Sequence, residues 1–190
     1  MAKDATKVRV ALTGDIWVAP EGTEIPASVD VAPAAPFVNL GFTTDDGCTF
    51  TIGRETEDLP GWQSADPLRT LITSEPKQVA YTLRQLERST VTATLGGTVT
   101  ETGAGSGLYR WEPGPPGEAP VSVVLIDFMD GDLTYRFGFR RAQNLGEAEF
   151  SLVRNDAINL PNEWHVLAAS GGLKPWFIDS NDPAMAPAGA

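Results

Sequence analysis

Residues 59–97, LPGWQSADPLRTLITSEPKQVAYTLRQLERSTVTATLGG, decide the fold class. Leu68, Thr70 and Ile72 alternate with Arg69, Leu71 and Thr73 up to the turn signal Ser74-Glu75-Pro76. The next run, Gln78 to Leu86, sets Val79, Tyr81 and Leu83 on one side and mostly polar residues on the other. A period of two with β-formers on one face marks a half-buried strand. Glu87 to Leu95 reads as a short helix stopped by Gly96-Gly97, where a glycine takes the left-handed conformation that ends helices. Thr90, Val91, Thr92 and Thr94 weaken that helix, because β-branched side chains lose rotamer freedom in it.

The rest of the chain repeats the period of two. Val8, Val10 and Leu12 alternate with Arg9, Ala11 and Thr13, and Gly14 suggests a bend before Ile16-Trp17-Val18. Residues 19–36 carry Pro20, Pro26, Pro33 and Pro36 and predict a long loop. Phe37 to Phe42 and Cys48 to Ile52 predict two strands around Thr44-Asp45-Asp46-Gly47, since Asp-Gly is a hairpin signal. Residues 54–67 read as an acidic, turn-rich loop, and 98–120 as another, with Leu108 to Trp111 a short extended piece.

The clearest hairpin runs from Val121 to Met129, turns at Asp130-Gly131 and returns from Asp132 to Arg141. Leu133, Tyr135, Phe137 and Phe139 share one face of the return strand; Thr134, Arg136, Gly138 and Arg140 share the other, facing solvent or another chain. Glu147 to Arg154 alternates through Ala148, Phe150 and Leu152, and Trp164 to Ala169 supplies a last strand. These elements predict a mainly β protein, a β-sandwich or partly closed barrel with one short flanking α-helix. The expected organisation is one domain over residues 1–170, with an extended C-terminal arm at 171–190 that stays loosely ordered unless a partner holds it.

A chain of 190 residues buries roughly 70 % of its unfolded surface, enough for an ordinary core. The lone Cys48 offers no intrachain disulfide. No apolar stretch follows Met1 to Lys7, and the aliphatic run Val123 to Ile126 is too short to span a bilayer, so a soluble product made in the cytoplasm is expected. The formal charge is −11, and no Lys or Arg lies between Arg9 and Arg54. Such a surface repels nucleic acid, which binds by exchanging counterions for basic side chains. Solubility alone is the simpler account of the acidity.

Chemistry is sparse. His165 is the only histidine, so neither a zinc site nor any other metal site is expected, and no cofactor motif is present. Cys48 reads as a packed thiol, although spacing alone leaves a Cys48–His165 pair open. Asp127, Asp130 and Asp132 could offer oxygens to calcium, but they lack the loop spacing and coincide with a hairpin turn. No catalytic residue is assigned. Trp62, Trp111 and Trp176 fall in loop or arm regions, where a large aromatic either meets a neighbour or folds back on its own domain. With Gln63 and Phe177 they are candidate contacts between subunits.

Trp62-Gln63, then Arg69-Thr70-Leu71-Ile72-Thr73, then Glu87-Arg88-Ser89-Thr90-Val91 and Gly96-Gly97, stand in an order that resembles the major tail protein, or tail tube protein, of long-tailed, siphovirus-type phages of actinobacteria. Val8 to Pro26, Phe37 to Thr51 and Lys174 to Ala184 are similar to other parts of that family. The resemblance implies a β-sandwich with a flanking helix, hexameric rings stacked into a hollow tube, and inner sheets joined across subunit edges. It implies partners of three kinds: further copies of the chain, other tail proteins, and DNA that passes through the bore without specific binding. It places the protein in the virion and off the membrane. Residues 19–36, 54–67 and the C-terminal arm would then bridge subunits. Asp45, Asp46, Glu55, Glu57 and Asp58 become candidate channel-lining or surface acids, with their face left open. A monomeric ligand- or carbohydrate-binding sandwich, an enzyme using Cys48 with His165, and a tail terminator or neck ring protein are the alternatives.

Overall fold

A computed structural model describes residues 3–187; the expectations for residues 1, 2 and 188–190 lie outside it. After a 3₁₀ turn at Ala5–Lys7 come β1 (Thr13–Pro20), β2 (Val38–Asn39), β3 (Thr43–Ile52), β4 (Glu55–Gly61), β5 (Ser64–Ser74) and β6 (Lys77–Leu83). Helix α1 (Arg88–Leu95) follows, then β7 (Thr98–Glu101), β8 (Tyr109–Glu112), β9 (Val121–Asp130), β10 (Leu133–Asn144), β11 (Leu160–Val166) and β12 (Trp176–Ser180). The main antiparallel sheet runs β2-β1-β9-β10-β11-β6-β3, with β12 also on β10. Two ribbons, β4-β5 and β7-β8, stand apart from it.

β10 turns this sheet into two layers. Its first half pairs with β12 from Tyr135 to Phe139, and its second half pairs with β11 from Ala142 to Asn144. The register on β9 jumps between Phe139 and Ala142, which marks a bulge where the strand bends. β11, β6 and β3 therefore fold back over β1, β9 and β10. Ile16, Val124 and Phe139 meet Val79, Tyr81, Leu83, Leu160 and Trp164 between the layers. Phe50 of β3 stands edge-on to Phe139, with centroids 5.1 Å apart, and to Trp176 at 5.0 Å. The result is a β-sandwich. No strand among the described residues links β3 back to β1 or β2, so the sheet is not closed into a barrel.

Helix α1 forms where expected. The Glu87 N–H donates to Thr90 Oγ1 at 3.0 Å, capping the start, and Gly96 and Gly97 end it with φ of 67° and 74°. The buried Thr90 and the amide of Asn144, which donates to the carbonyls of Ala93 and Thr94, fasten it to the sandwich.

The outer face of β9 and β10 is covered by the chain itself, contrary to the expectation that Arg136 faces solvent or another chain. Residues 21–37 cross it, and Phe37, Ala19, Val123 and Leu125 form a second apolar cluster there. Arg136, 1 % exposed, meets Asp127 through two bonds of 2.7 and 2.8 Å. Its remaining nitrogen donates to the carbonyls of Ser28 and Val31, pinning the crossing segment.

Several expectations are corrected. The opening strand starts at Thr13, leaving Val8, Val10 and Leu12 exposed. Phe37 to Phe42 yields only the two-residue β2. Asp45-Asp46-Gly47 is a bulge inside β3 and not a turn: Thr43 pairs with Leu83 and Cys48 with Tyr81, so β6 holds the chain on both sides of the extra residues. The loop expected at 54–67 belongs to the β4-β5 ribbon, and the one at 98–120 contains β7-β8. The strand expected at 147–154 is absent among the described residues, and β11 starts earlier than expected, at Leu160. The arm expected at 171–190 contains β12, whose Trp176 and Phe177 pack on the two clusters.

Two outcomes follow. Replacing Arg136 by Met leaves Asp127 buried without its cation and should cost about 3–5 kcal/mol in urea unfolding, with much of the loss recovered when Asp127→Leu is added. Ending the chain at Ser170 removes β12, whose apolar side chains are each worth up to about 1.5–3 kcal/mol when buried. The trimmed protein should lose cooperative thermal unfolding.

Candidate functional site

The β4-β5 ribbon continues the β3-β6 hairpin beyond the body of the protein. At the joint the Gly53 N–H donates to the Pro76 carbonyl at 2.8 Å, and Glu75 lies between Arg54 (3.1 Å) and Lys77 (3.5 Å). Residues 55–60 and 64–73 are exposed throughout. The register sets Thr56 opposite Ile72, Glu57 opposite Leu71, Asp58 opposite Thr70 and Leu59 opposite Arg69. Directly opposed residues share a face and faces alternate, so Ile72 lies on one side of the ribbon and Leu59 with Leu71 on the other. Both faces thus carry exposed apolar side chains. Trp62 at the tip is 98 % exposed, beside the exposed Gln63.

The other aromatic candidates are engaged within the chain. Trp111 of β8 is half-buried, and its Nε1 donates to the Gly96 carbonyl at 2.9 Å. Trp176 abuts Phe50, and Phe177 lies under the Arg140 guanidinium at 4.7 Å. Gly138 makes room for the Phe177 ring; a Cβ there would overlap it.

The candidate acids fall on one continuous run of chain. Asp45 and Asp46 stand exposed on the β3 bulge, with Asp45 4.0 Å from Arg84. Glu55, Glu57 and Asp58 lie along β4, where Asp58 accepts a 2.6 Å bond from the Thr70 hydroxyl. Beside them, the outward face of the second layer exposes small side chains, Thr49 and Thr51 of β3 and Ala80 of β6.

Between the layers an open cleft of about 630 Å3 separates β1 from β3. Val79, Ile126, Phe128, Phe137 and Phe139 form its apolar floor, and Thr13 to Ile16 and Cys48 to Phe50 its banks. Cys48, expected to be packed, is exposed at this rim. Desolvation by the surrounding atoms raises its thiol to about 11, so it is protonated at neutral pH and a poor nucleophile. It also has no histidine partner. Cys48 pairs with Tyr81 and through it with Asn162, whereas His165 lies three residues along β11, so the two side chains point to opposite faces of the layer. His165 instead lies 3.1 Å from Glu163. Both carboxylate oxygens of Asp127 are taken by Arg136, which removes it from the calcium constellation.

The fold and these surfaces define a class: a β-sandwich whose exposed apolar area sits on a projecting ribbon and beside open strand edges, as a building block requires. The sequence matches the family described as phage tail tube protein over residues 1–190, and the chain belongs to that family. It is a structural protein of the phage tail and a component of the virion, where it assembles with other tail proteins. No curated protein matches it. No helix among the described residues is long and apolar enough to cross a membrane.

One polar cluster escaped the sequence reading because its members are far apart in the chain. Asp182, 5 % exposed, accepts from the Tyr135 hydroxyl, from the Ala184 N–H at 2.7 Å and from Arg9 at 2.6 and 2.7 Å. The clasp ties the N-terminal segment to the end of β12. The Tyr135 hydrogen bond first, then the Ala184 N–H and Arg9, hold the Asp182 carboxyl down at about 2. A depressed carboxylate stabilises the fold above its unfolded pKa of about 3.9, and that contribution is lost as pH falls through the folded value. Wild type should therefore exceed Asp182→Asn in stability by a constant margin above about pH 4. The margin should vanish as pH approaches 2 in paired urea titrations.

Proposed function

We propose that the chain closes into hexameric rings that stack into the tube of a siphovirus-type phage of actinobacteria, with an anionic bore through which the genome passes. The observation that carries this reading is the β4-β5 ribbon, exposed along its length and carrying apolar side chains on both faces. An isolated two-stranded ribbon is marginal in water, and one with leucines on it invites aggregation unless a partner covers it. Neighbouring copies supply that cover. Trp62 and Gln63 at the tip are its leading contacts between subunits, with Trp111 next; Trp176 and Phe177 support assembly by keeping the body rigid.

Asp45 and Asp46 lie on β3, and Glu55, Glu57 and Asp58 lie at the base of the ribbon on β4, next in the chain to the outer face of β3 and β6. We place that face toward the bore. A wall of Thr and carboxylate offers DNA no counterion to release, so the duplex is repelled and slides. No catalytic residue, cofactor or metal enters this function. Assembly length separates a tube protein from a terminator or neck protein, which stops at one ring.

Purified protein at rising concentration should form long uniform tubes under negative stain. A stable monomer or isolated rings would overturn the reading. Trp62→Ala should fold as wild type yet raise the concentration needed for tubes, through a loss of about 2 kcal/mol or more per contact. Assembled tubes should not retain duplex DNA at physiological salt.

A further inference from the structure

β10 and β11 are hydrogen-bonded antiparallel neighbours, yet residues 145–159 separate them. Two to five residues would join such a pair, and an irregular excursion of about 15 is uncommon unless it has a task of its own. Within it, Glu147 to Arg154 alternates as a strand does and contains neither Gly nor Pro. Ala148, Phe150 and Leu152 share one side; Glu147, Glu149 and Ser151 share the other. All of these residues are exposed, with Phe150 40 % and Leu152 77 % accessible, and none is paired.

The same chain carries an unfilled place for a strand. β1 is paired with β2 only at Trp17 and Val18, so no strand lies along its edge from Thr13 to Asp15 among the described residues, although the Asn39 amide donates to the Asp15 carboxylate at 2.8 Å. The outer edge of β3 has none either. These two edges border the cleft whose floor is Val79, Ile126, Phe128 and Phe137. A strand laid there would add backbone bonds and set every second side chain onto apolar floor.

We infer that the cleft between β1 and β3 receives residues 147–154 of a second copy of this chain as an added β-strand. Phe150 and Leu152 enter the cleft, while Glu147 and Glu149 stay in solvent. Residues 147–154 do not line the cleft of their own chain, so strand and socket are distinct and the contact is head-to-tail, the type that propagates into rings or filaments. The inference rests on the assembly reading above and names the strand that joins neighbours.

The native Cys48 on the cleft bank provides the probe. Leu152→Cys tubes treated with an oxidant should give a ladder of disulfide-linked multimers on non-reducing gels, and adding Cys48→Ser should abolish it. In wild-type tubes at alkaline pH, where part of the thiol is ionised, Cys48 should react with maleimide more slowly than in the unassembled chain under the same conditions. Leu152→Cys tubes without a Cys48-dependent ladder would overturn the inference while leaving assembly intact. So would a disulfide confined to one chain, or a ladder from Val10→Cys or Trp62→Cys in place of Leu152→Cys. Should Leu152→Cys not assemble, undiminished Cys48 labelling in wild-type tubes decides against it. Wild-type protein that never polymerises would remove the assembly reading, and this inference with it.

Discussion

The pairing of Arg136 with Asp127 fixes which surfaces this chain keeps and which it gives away. A guanidinium buried in an apolar sheet face is costly unless its donors are met, and here the fork is matched by a carboxylate and two carbonyls. The carbonyls belong to the segment between β1 and β2, so the same charge that needs burial also holds down its own cover. With that face sealed, β9 is a strand buried on both sides: Val124 looks into the sandwich and Val123 and Leu125 toward the crossing segment. What remains open is the periphery, meaning strand edges, the cleft and the ribbon.

The sequence disclosed the elements whose two faces differ. Gln78 to Leu83 was legible because Val79, Tyr81 and Leu83 are buried while Ala80 is exposed. The hairpin at 121–141 was legible from its Asp130-Gly131 turn and from the alternation of Leu133, Tyr135, Phe137 and Phe139. Arg136 was misread because nothing local announces a carboxylate on the adjacent strand and two carbonyls more than a hundred residues away. The ribbon at 55–74 was only half visible, since a strand exposed on both faces carries no burial contrast. Asp45-Asp46-Gly47 has the chemistry of a turn, and pairing to β6 on both sides overrode it. Residues 147–154 show the opposite failure: the pattern of a strand with no edge beside it in its own chain.

Of the five aromatic and amide candidates, the chain itself uses Trp111, Trp176 and Phe177, and leaves Trp62 and Gln63 outside. Composition could not separate them. Trp176 sits in a Gly- and Pro-rich tail, yet β12 is drawn into the sheet because Gly138 leaves a hollow on β10 that the Phe177 ring occupies. A single missing side chain thus converts a candidate arm into part of the body.

Charge and apolar exposure then divide the work between them. A net charge of −11 keeps separate chains apart in solution and opposes association through long-range repulsion. The ribbon's leucines and Trp62 favour association only at contact, where they shed water. Screening by salt shortens the repulsion to roughly 8–10 Å and leaves the contact term nearly untouched. Association of such a chain is therefore opposed at a distance and favoured once surfaces meet.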